Sequence, residues 1–348
     1  MKRFFYLLPT ILLLLHSCHL HLPQLSEGQT NFVVSTSQQL QDESYSQQIE
    51  AFYEGGTEGT FIGEKEVLIY YKIFRQQDSA GPAIMISSGR TEAAIKYKEL
   101  IYDLYNNGYT VYIHDHRGQG QSGRLVEDPE MGFIDTFQFY INDMKNFHEN
   151  YVKPQHHGRV YLMAHSMGGA IGMTYLEQYP GDFDAAAFSS PMLGLKWYVC
   201  PMARLFRTQV PKYGPGQSGY NREEEGVFDG NILTGSEIRF QRALEEYDRL
   251  PEARLGGASI QWVRRSCEQF GYLFKNISNI QTPFILFSAT NEQLVNPRSH
   301  QKFVEKVLQL GIQCEAYQVE NAQHELFVEK DRERTMVLDA CLSFFSRH

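Results

Sequence analysis

The chain lacks an excess of positive charge: 32 Lys and Arg stand against 41 Asp and Glu, a formal net charge of −9. That removes the electrostatic footprint of sequence-independent nucleic-acid binding. It also means that overall charge does not draw the protein to anionic lipid headgroups, so any membrane contact must come from an anchor, an apolar patch or a local basic cluster. Cysteine is sparse, with 5 in 348 residues and no C-x-x-C, which argues against a metal or redox motif. The longest apolar run, Phe4 to Leu15, is interrupted by Pro9 and too short for a comfortable membrane span. There is no internal repeat. Apolar content of 42% and charged content of 21% are ordinary, which excludes disorder, collagen and coiled coil as whole-chain readings.

What is present is a large globular chain, long enough for one α/β domain with an inserted subdomain. From about residue 60, strand-like and helix-like stretches alternate. The pattern predicts strands at Val67–Phe74, Ala83–Ser87, Thr110–His114, Val160–Ala164, Ala185–Ser189, Pro283–Ser288 and Glu315–Val319. Helices are predicted at Glu92–Tyr105, Phe137–Tyr151, Ser236–Tyr247, Pro297–Leu310 and Asp331–Phe345. The alternation breaks from Gly194 to about Asn279, where Trp197, Pro201, Pro211 and Gly214-Pro215-Gly216 stand in an irregular, mainly helical stretch. This predicts a mostly parallel sheet built from 60–193 and 280–348, with helices on both faces and a cap inserted at 194–279. Residues 19–59, rich in Gln, Ser and Glu, read as a polar tether.

The strongest local signal is Ala164-His165-Ser166-Met167-Gly168-Gly169, between the apolar run Val160–Met163 and the helical run Ile171, Met173, Leu176. A serine on a tight turn between strand and helix projects its oxygen above the sheet, and its neighbours two residues away must be small; here they are Ala164 and Gly168. Such a serine needs a base, and the base needs an acid to orient it. His324, in the loop after the last strand, is the base candidate. Glu292, in Asn291-Glu292-Gln293 after the strand Pro283–Phe287, is the acid; Glu320 and Glu325 adjoin the histidine and are worse placed. Backbone N–H groups of Met167, at the helix N-terminus, and of Arg90, after the bend at Gly89, are candidates for an oxyanion hole. The run His114 to Gly123 contains G-x-G but too few spaced carboxylates for calcium; it reads as a rim loop with Asp115 and Arg117 as an ion pair.

These residues, in this order, resemble the monoacylglycerol-lipase-like branch of the α/β-hydrolases, and within it the bacterial lysophospholipases that act on lysophospholipids at the inner membrane. The resemblance is carried by Gly89–Leu104, Asp115–Leu125, Ala164–Ile171, Asn231–Thr234, Gly256–Ser266 and His324–Asp331. Ala164 in place of glycine is shared with that group, whereas Ser88 stands where many relatives of the wider branch carry histidine. The resemblance implies an α/β-hydrolase fold and Ser166, Glu292 and His324 as a triad, with Arg90 and Met167 as oxyanion donors. It further implies a lysophospholipid or monoacylglycerol substrate and no metal or cofactor. Leu195, Trp197, Phe206, Phe240 and Trp262 are candidates to line an acyl groove in the cap, and Arg264 and Arg265 to meet a phosphate. A general carboxylesterase, an acyltransferase using the same acyl-enzyme and a non-catalytic lipid-binding relative are the rival readings.

The N-terminus carries an address. Lys2 and Arg3 precede the apolar stretch, and Leu15-His16-Ser17-Cys18 resembles the bacterial lipoprotein processing box, although His16 is unusual there. The resemblance implies export, cleavage before Cys18 and attachment to a membrane through its lipidated sulfur; an ordinary signal peptide or an uncleaved anchor is the alternative. Of the other cysteines, Cys200, Cys267, Cys314 and Cys341 allow three disulfide connectivities, but buried free thiols are the commoner state in a domain of this size.

Overall fold

The computed structural model describes residues 21–28, 31–78, 80–206 and 208–348; the leader and Cys18 lie outside them. Eight strands form one sheet: β1 (Thr57–Ile62), β2 (Leu68–Phe74), β3 (Ala83–Ser87), β4 (Thr110–His114), β5 (Val160–His165), β6 (Ala185–Ser189), β7 (Phe284–Ala289) and β8 (Cys314–Val319). Their order is β1-β2-β4-β3-β5-β6-β7-β8. The pairs β1–β2 and β2–β4 are antiparallel and all the others parallel. The described helices are α1 (Ser37–Gln41), α2 (Glu43–Glu54), α3 (Lys98–Asn106), α4 (Gln138–Phe147), α5 (Ser166–Gln178), α6 (Val199–Leu205), α7 (Arg222–Glu225), α8 (Glu237–Arg249), α9 (Ile260–Asn276), α10 (Pro297–Gln309) and α11 (Asp331–Ser346).

The central strands are buried on both faces, as parallel strands covered by helices must be, and their side chains alternate between two cores. Met85, Tyr112, Leu162, Ala186 and Leu286 face the side covered by α4, α5, α9 and α10. Ile84, Val111, Met163, Ala187 and Ile285 face the side covered by α2, α3 and α11. This two-sided burial is why β3 to β7 read as continuous apolar runs. All the parallel strands therefore end at the same edge of the sheet, and the turns leaving β3, β5, β7 and β8 gather there. That is the crevice in which open α/β sheets bind ligands.

The N-terminal stretch departs from the expected tether. Thr36 and Gln39 form a reciprocal capping box at α1, and the Asp42 carboxylate accepts the Tyr45 N–H to start α2. Leu40, Ile49 and Tyr53 are buried. The polar residues that suggested a loose lead-in are partners of the core: the Ser35 N–H donates to Asp103 at 3.0 Å, and the Ser37 N–H to Asp331 at 2.9 Å. β1 then adds an edge strand whose Gly59 leaves room for the Tyr71 ring.

Residues 194–279 lie between β6 and β7 and carry α6 to α9, and the described residues among them contribute no strand to the sheet. A disulfide, Cys200–Cys267, staples α6 to α9, while Cys341 is a buried thiol and Cys314 a half-buried one. So one pair departs from the expectation of free thiols: α6 is short and largely exposed, and little apolar burial would otherwise hold it. Among the described residues no helix is long and apolar enough to cross a membrane.

Candidate active site

Ser166 begins α5 immediately after β5, with φ at +50°, a left-handed conformation that costs a non-glycine residue on the order of 1–3 kcal/mol. The surroundings enforce it. A Cβ on Gly168 would lie 2.1 Å from the Ser87 carbonyl oxygen, and one on Gly169 would lie 2.5 Å from the Pro191 side chain. Strand and helix thus pass too close for any other residue at either position. The Met192 N–H donates to the Ser166 carbonyl at 2.8 Å and closes the turn from the β6 side.

Glu292 and His324 come from the turns after β7 and β8, which neighbour each other because these strands pair. The Thr290 N–H donates to the Val319 carbonyl at 3.1 Å and the Asn291 N–H to the Ala322 carbonyl at 3.0 Å, so the two turns are laced together. His324 Nε2 lies 2.8 Å from Ser166 Oγ, and His324 Nδ1 lies 2.6 Å from Glu292 Oε2. With the Nδ1 proton donated to the carboxylate, Nε2 is left to accept the serine hydroxyl. The other oxygen of Glu292 accepts the N–H groups of Leu294 at 2.7 Å and Val295 at 3.1 Å. Burial alone would raise the Glu292 pKa, but the hydrogen bond and charge of His324 and the two backbone donors outweigh it and hold the carboxyl at about 2. Three residues far apart in the chain therefore share one hydrogen-bonded line, and Glu320 and Glu325 stand outside it.

The turn after β3 contains Gly89, Arg90 and Thr91. The Arg90 guanidinium donates to the Gly256 carbonyl at 2.8 Å and stacks over Trp262 at 5.4 Å, so the side chain is held by the cap while the main chain stays in the turn. Met167 is the second residue of α5, among the first N–H groups that have no carbonyl in the helix to bond.

Glu92, which the sequence placed only near a helix start, holds this turn. Its carboxylate accepts the Gly89 N–H at 2.5 Å, the Tyr97 hydroxyl at 2.5 Å and the Lys96 ammonium at 2.8 Å. Lys96 also reaches Glu325, the residue after the histidine, at 2.6 Å. Gln119 donates to the carbonyls of Gly89 at 2.8 Å and Glu92 at 2.7 Å. Burial pushes the Glu92 carboxyl up, yet Lys96 and His165 together with these hydrogen bonds keep it at about 2. Glu92, His165 and Glu325 are grouped closely enough to resemble a metal site, but Lys96 stands between the two carboxylates where a cation would sit. The signal for Glu92 was its spacing to Lys96, four residues on, although the segment between them is a turn and not an α-helix.

Asp115 and Arg117 do not pair. Arg117 forms a fork with Asp143 at 2.6 and 2.8 Å, and Asp115 accepts the N–H groups of Ala94 and Gln121, both at 2.7 Å. The loop turns back at Gly120, where any Cβ would meet the Asp115 carboxylate at 2.2 Å, and this curl aims the two side chains at different neighbours. In the cap, Trp262 and Phe240 are buried and Leu195 is half-buried, but Trp197 and Phe206 project into solvent and do not line a groove. The cavity between the cap and the turn after β3 is lined instead by Thr91, Tyr220, Leu233, Phe240, Leu244 and Leu255 together with the charged Lys96, Glu225, Arg239, Arg254 and Glu325, and Ser166 is not part of its lining. Arg265 pairs with Glu268 at 2.7 Å on the surface.

A parallel sheet with an antiparallel edge, a strained serine between strand and helix, and acid and base on the two following strand ends together define a serine hydrolase of the α/β-hydrolase fold. The family described as "Serine aminopeptidase, S33" matches residues 78–331, and the chain belongs to it. Over 308 residues the chain is 35% identical to lysophospholipase L2 of Escherichia coli strain K12, spanning 85% of this chain and 89% of that one. It is 31% identical over 288 residues to the probable lysophospholipase L2 of Haemophilus influenzae, spanning 82% and 90%. In structure it resembles a soluble variant of monoglyceride lipase from Saccharomyces cerevisiae, with a TM-score of 0.64 at 18% identity over 84% of this chain and 96% of that one. At that identity the likeness concerns the fold.

Proposed function

We propose that the protein hydrolyses the carboxylic ester of lysophospholipids and releases the fatty acid through an acyl-enzyme on Ser166. The Ser166–His324–Glu292 line, at 2.8 and 2.6 Å, carries this reading. Ser166 Oγ attacks the ester carbonyl as His324 Nε2 takes its proton. Glu292, ionised far below neutral pH, fixes the imidazole and stabilises its cationic form. The N–H groups of Met167 and Arg90 receive the developing oxyanion, which they can do without reorganising. His324 then returns the proton to the departing glycerol oxygen. In the second half, His324 deprotonates water, which attacks the acyl-enzyme; as the ester bond to Ser166 breaks, His324 returns that proton to Ser166 Oγ and the acid is freed.

The substrate class rests on the lysophospholipase relatives; the cavity beside Thr91 sets the apolar Leu233, Phe240, Leu244 and Leu255 beside the charged Lys96, Glu225, Arg239, Arg254 and Glu325, a mixed lining that suits an amphipathic substrate. The test is a comparison of kcat/KM on lysophosphatidylethanolamine and on a monoacylglycerol of the same acyl chain. Higher kcat/KM on the lysophospholipid supports the reading; the reverse order makes the protein a monoacylglycerol lipase. The address is part of the proposal: export by residues 1–18 and retention at a membrane through Cys18 on the periplasmic side. The Cys200–Cys267 disulfide supports an oxidising compartment. Radiolabelled fatty acid entering the wild type but not Cys18→Ala would support lipidation, and no label in either would refute it.

A further inference from the structure

The cap presents a face that the chemistry of the site leaves unused. Among the described residues, fourteen large hydrophobic side chains are exposed, and six of them, Trp197, Tyr198, Met202, Leu205, Phe206 and Val210, fall within one short stretch of the cap. Trp197 is 83% exposed, Leu205 78% and Val210 65%. Apolar side chains scattered singly over a surface need no explanation, but a cluster of this kind marks a contact.

The same stretch is basic in an acidic protein. From position 196 to 212 the sequence contains Lys196, Arg204, Arg207 and Lys212 and no Asp or Glu, against a net charge of −9 for the whole chain. Lys196, Arg204 and Lys212 are exposed, and among the described residues none of the three is in an ion pair. Beside them a shallow depression is lined by Arg204, Arg264, the two disulfide cysteines, Ala203 and Glu268. The disulfide fixes α6 to α9, whose Trp262 and Leu273 are buried in the core. α6, which carries Met202 and Leu205, is therefore tied to the body of the molecule, which lowers the ordering cost of docking for these residues. The root of the apolar face lies beside the nucleophile, since Met192, a few residues before Lys196, bonds the Ser166 carbonyl.

We propose that this cap face, Lys196 to Lys212, docks on the surface of a bilayer that contains anionic phospholipid. Trp197, Leu205 and Val210 enter the interfacial region, and Lys196, Arg204 and Lys212 meet lipid phosphates. An aromatic and aliphatic face flanked by unpaired cations matches a layer that is wet and negative outside and apolar within. The net negative charge of the rest of the molecule orients it, turning this face toward the membrane and the remainder away. The docking requires neither the N-terminal anchor nor a particular substrate, so it stands or falls separately from the proposed hydrolysis.

The test uses the full chain with vesicles of phosphatidylcholine alone and of phosphatidylcholine mixed with phosphatidylglycerol. The chain has two tryptophans, and Trp262 is already buried, so a change in emission reports Trp197. The expected result is a blue shift and quenching by brominated acyl chains on the mixed vesicles, absent in Trp197→Phe. The double variant Arg204→Glu, Lys212→Glu should partition onto the mixed vesicles at least about tenfold less well, as should the wild type in high salt. Its rate on a soluble short-chain ester should be unchanged, which also shows that it is folded. Binding without a Trp197 shift, as an N-terminal anchor alone would give, overturns the proposal. So do equal partition of wild type and the charge-reversed variant, or a concentration-dependent dimer without lipid that the same substitutions abolish. The last result assigns the face to a second copy of the chain.

Discussion

Replacing Glu92 by alanine tests how the turn after β3 is held. The side chain is buried and its carboxylate serves three donors: the Gly89 N–H at 2.5 Å, the Tyr97 hydroxyl at 2.5 Å and Lys96 at 2.8 Å. Gly89 and Tyr97 share one carboxylate oxygen and Lys96 takes the other, so glutamine can keep the Gly89 bond, whereas alanine removes both acceptors and leaves all three donors without this partner. Each charge-assisted hydrogen bond lost is worth about 1.5–3 kcal/mol. Lys96 keeps Glu325 as its remaining anion, so the base loop is less disturbed than the turn. The Gly89 N–H precedes the Arg90 N–H by one peptide, and a slack turn weakens one of the two proposed oxyanion donors. Complete loss of such a donor costs about 10²–10³ in kcat; partial displacement should cost roughly 10- to 100-fold, mostly in kcat. The assay is steady-state kinetics on a soluble ester, with thermal unfolding measured alongside. A kcat within twofold of wild type at unchanged melting temperature would refute the reasoning. A change confined to KM would place Glu92 in substrate binding instead.

Glu292→Gln should lower kcat by roughly 10³–10⁴ because an amide does not select the required imidazole tautomer; steady-state rates check it. Its folded pKa of about 2 is depressed, so its contribution to stability is present above the ordinary value of 4.5 and lost as pH falls toward about 2. Unfolding curves of the variant should lack that acid-range loss. Glu177 runs the other way: buried in α5 without a hydrogen-bond partner among the described residues, it is pushed up to about 9 by burial. Its neutral form belongs to the folded state, so the favourable contribution is complete below 4.5 and is lost as pH rises toward about 9. Glu177→Gln should therefore be more stable than wild type at alkaline pH, by an amount on the order of several kcal/mol at most, in denaturant titrations. Replacing both Cys200 and Cys267 by serine opens a loop with a sequence separation of 67 and should lower stability by up to about 4 kcal/mol, read as a fall in melting temperature.

The sheet was legible because β3 to β7 are buried on both faces and so appear as short apolar runs of strand length. Helix ends were less so: Glu92–Tyr105 splits into a turn and α3, because Glu92 and Ala93 are engaged with the oxyanion turn and with Tyr247 of the cap. The positions of Ser166, Glu292 and His324 could be proposed because local chemistry marks each one: small neighbours, a lone carboxylate after a strand, a histidine in the last loop. The order in residues 35–59, read as part of a tether, was missed because it comes from caps and from long-range hydrogen bonds of Ser35 to Asp103 and Ser37 to Asp331, which carry no local period. The partners of Arg117 and Asp115 were misassigned for a related reason. Proximity in sequence suggested a pair, whereas the curl at Gly120 and the arrival of Asp143 from α4 are tertiary facts. Composition of the cap showed that Trp197 and Phe206 are there but not which way they face.

The hydrolysis depends on one reactive hydroxyl, activated by an imidazole 2.8 Å away that is itself steadied by a buried carboxylate 2.6 Å beyond. The most direct measurement is intact-mass spectrometry after reaction with a fluorophosphonate, followed by peptide mapping. One adduct per chain is predicted, carried by the peptide containing Ser166, with none in Ser166→Ala and greatly slowed labelling in His324→Ala. An adduct on another residue, or labelling of Ser166→Ala at the wild-type rate, would contradict it.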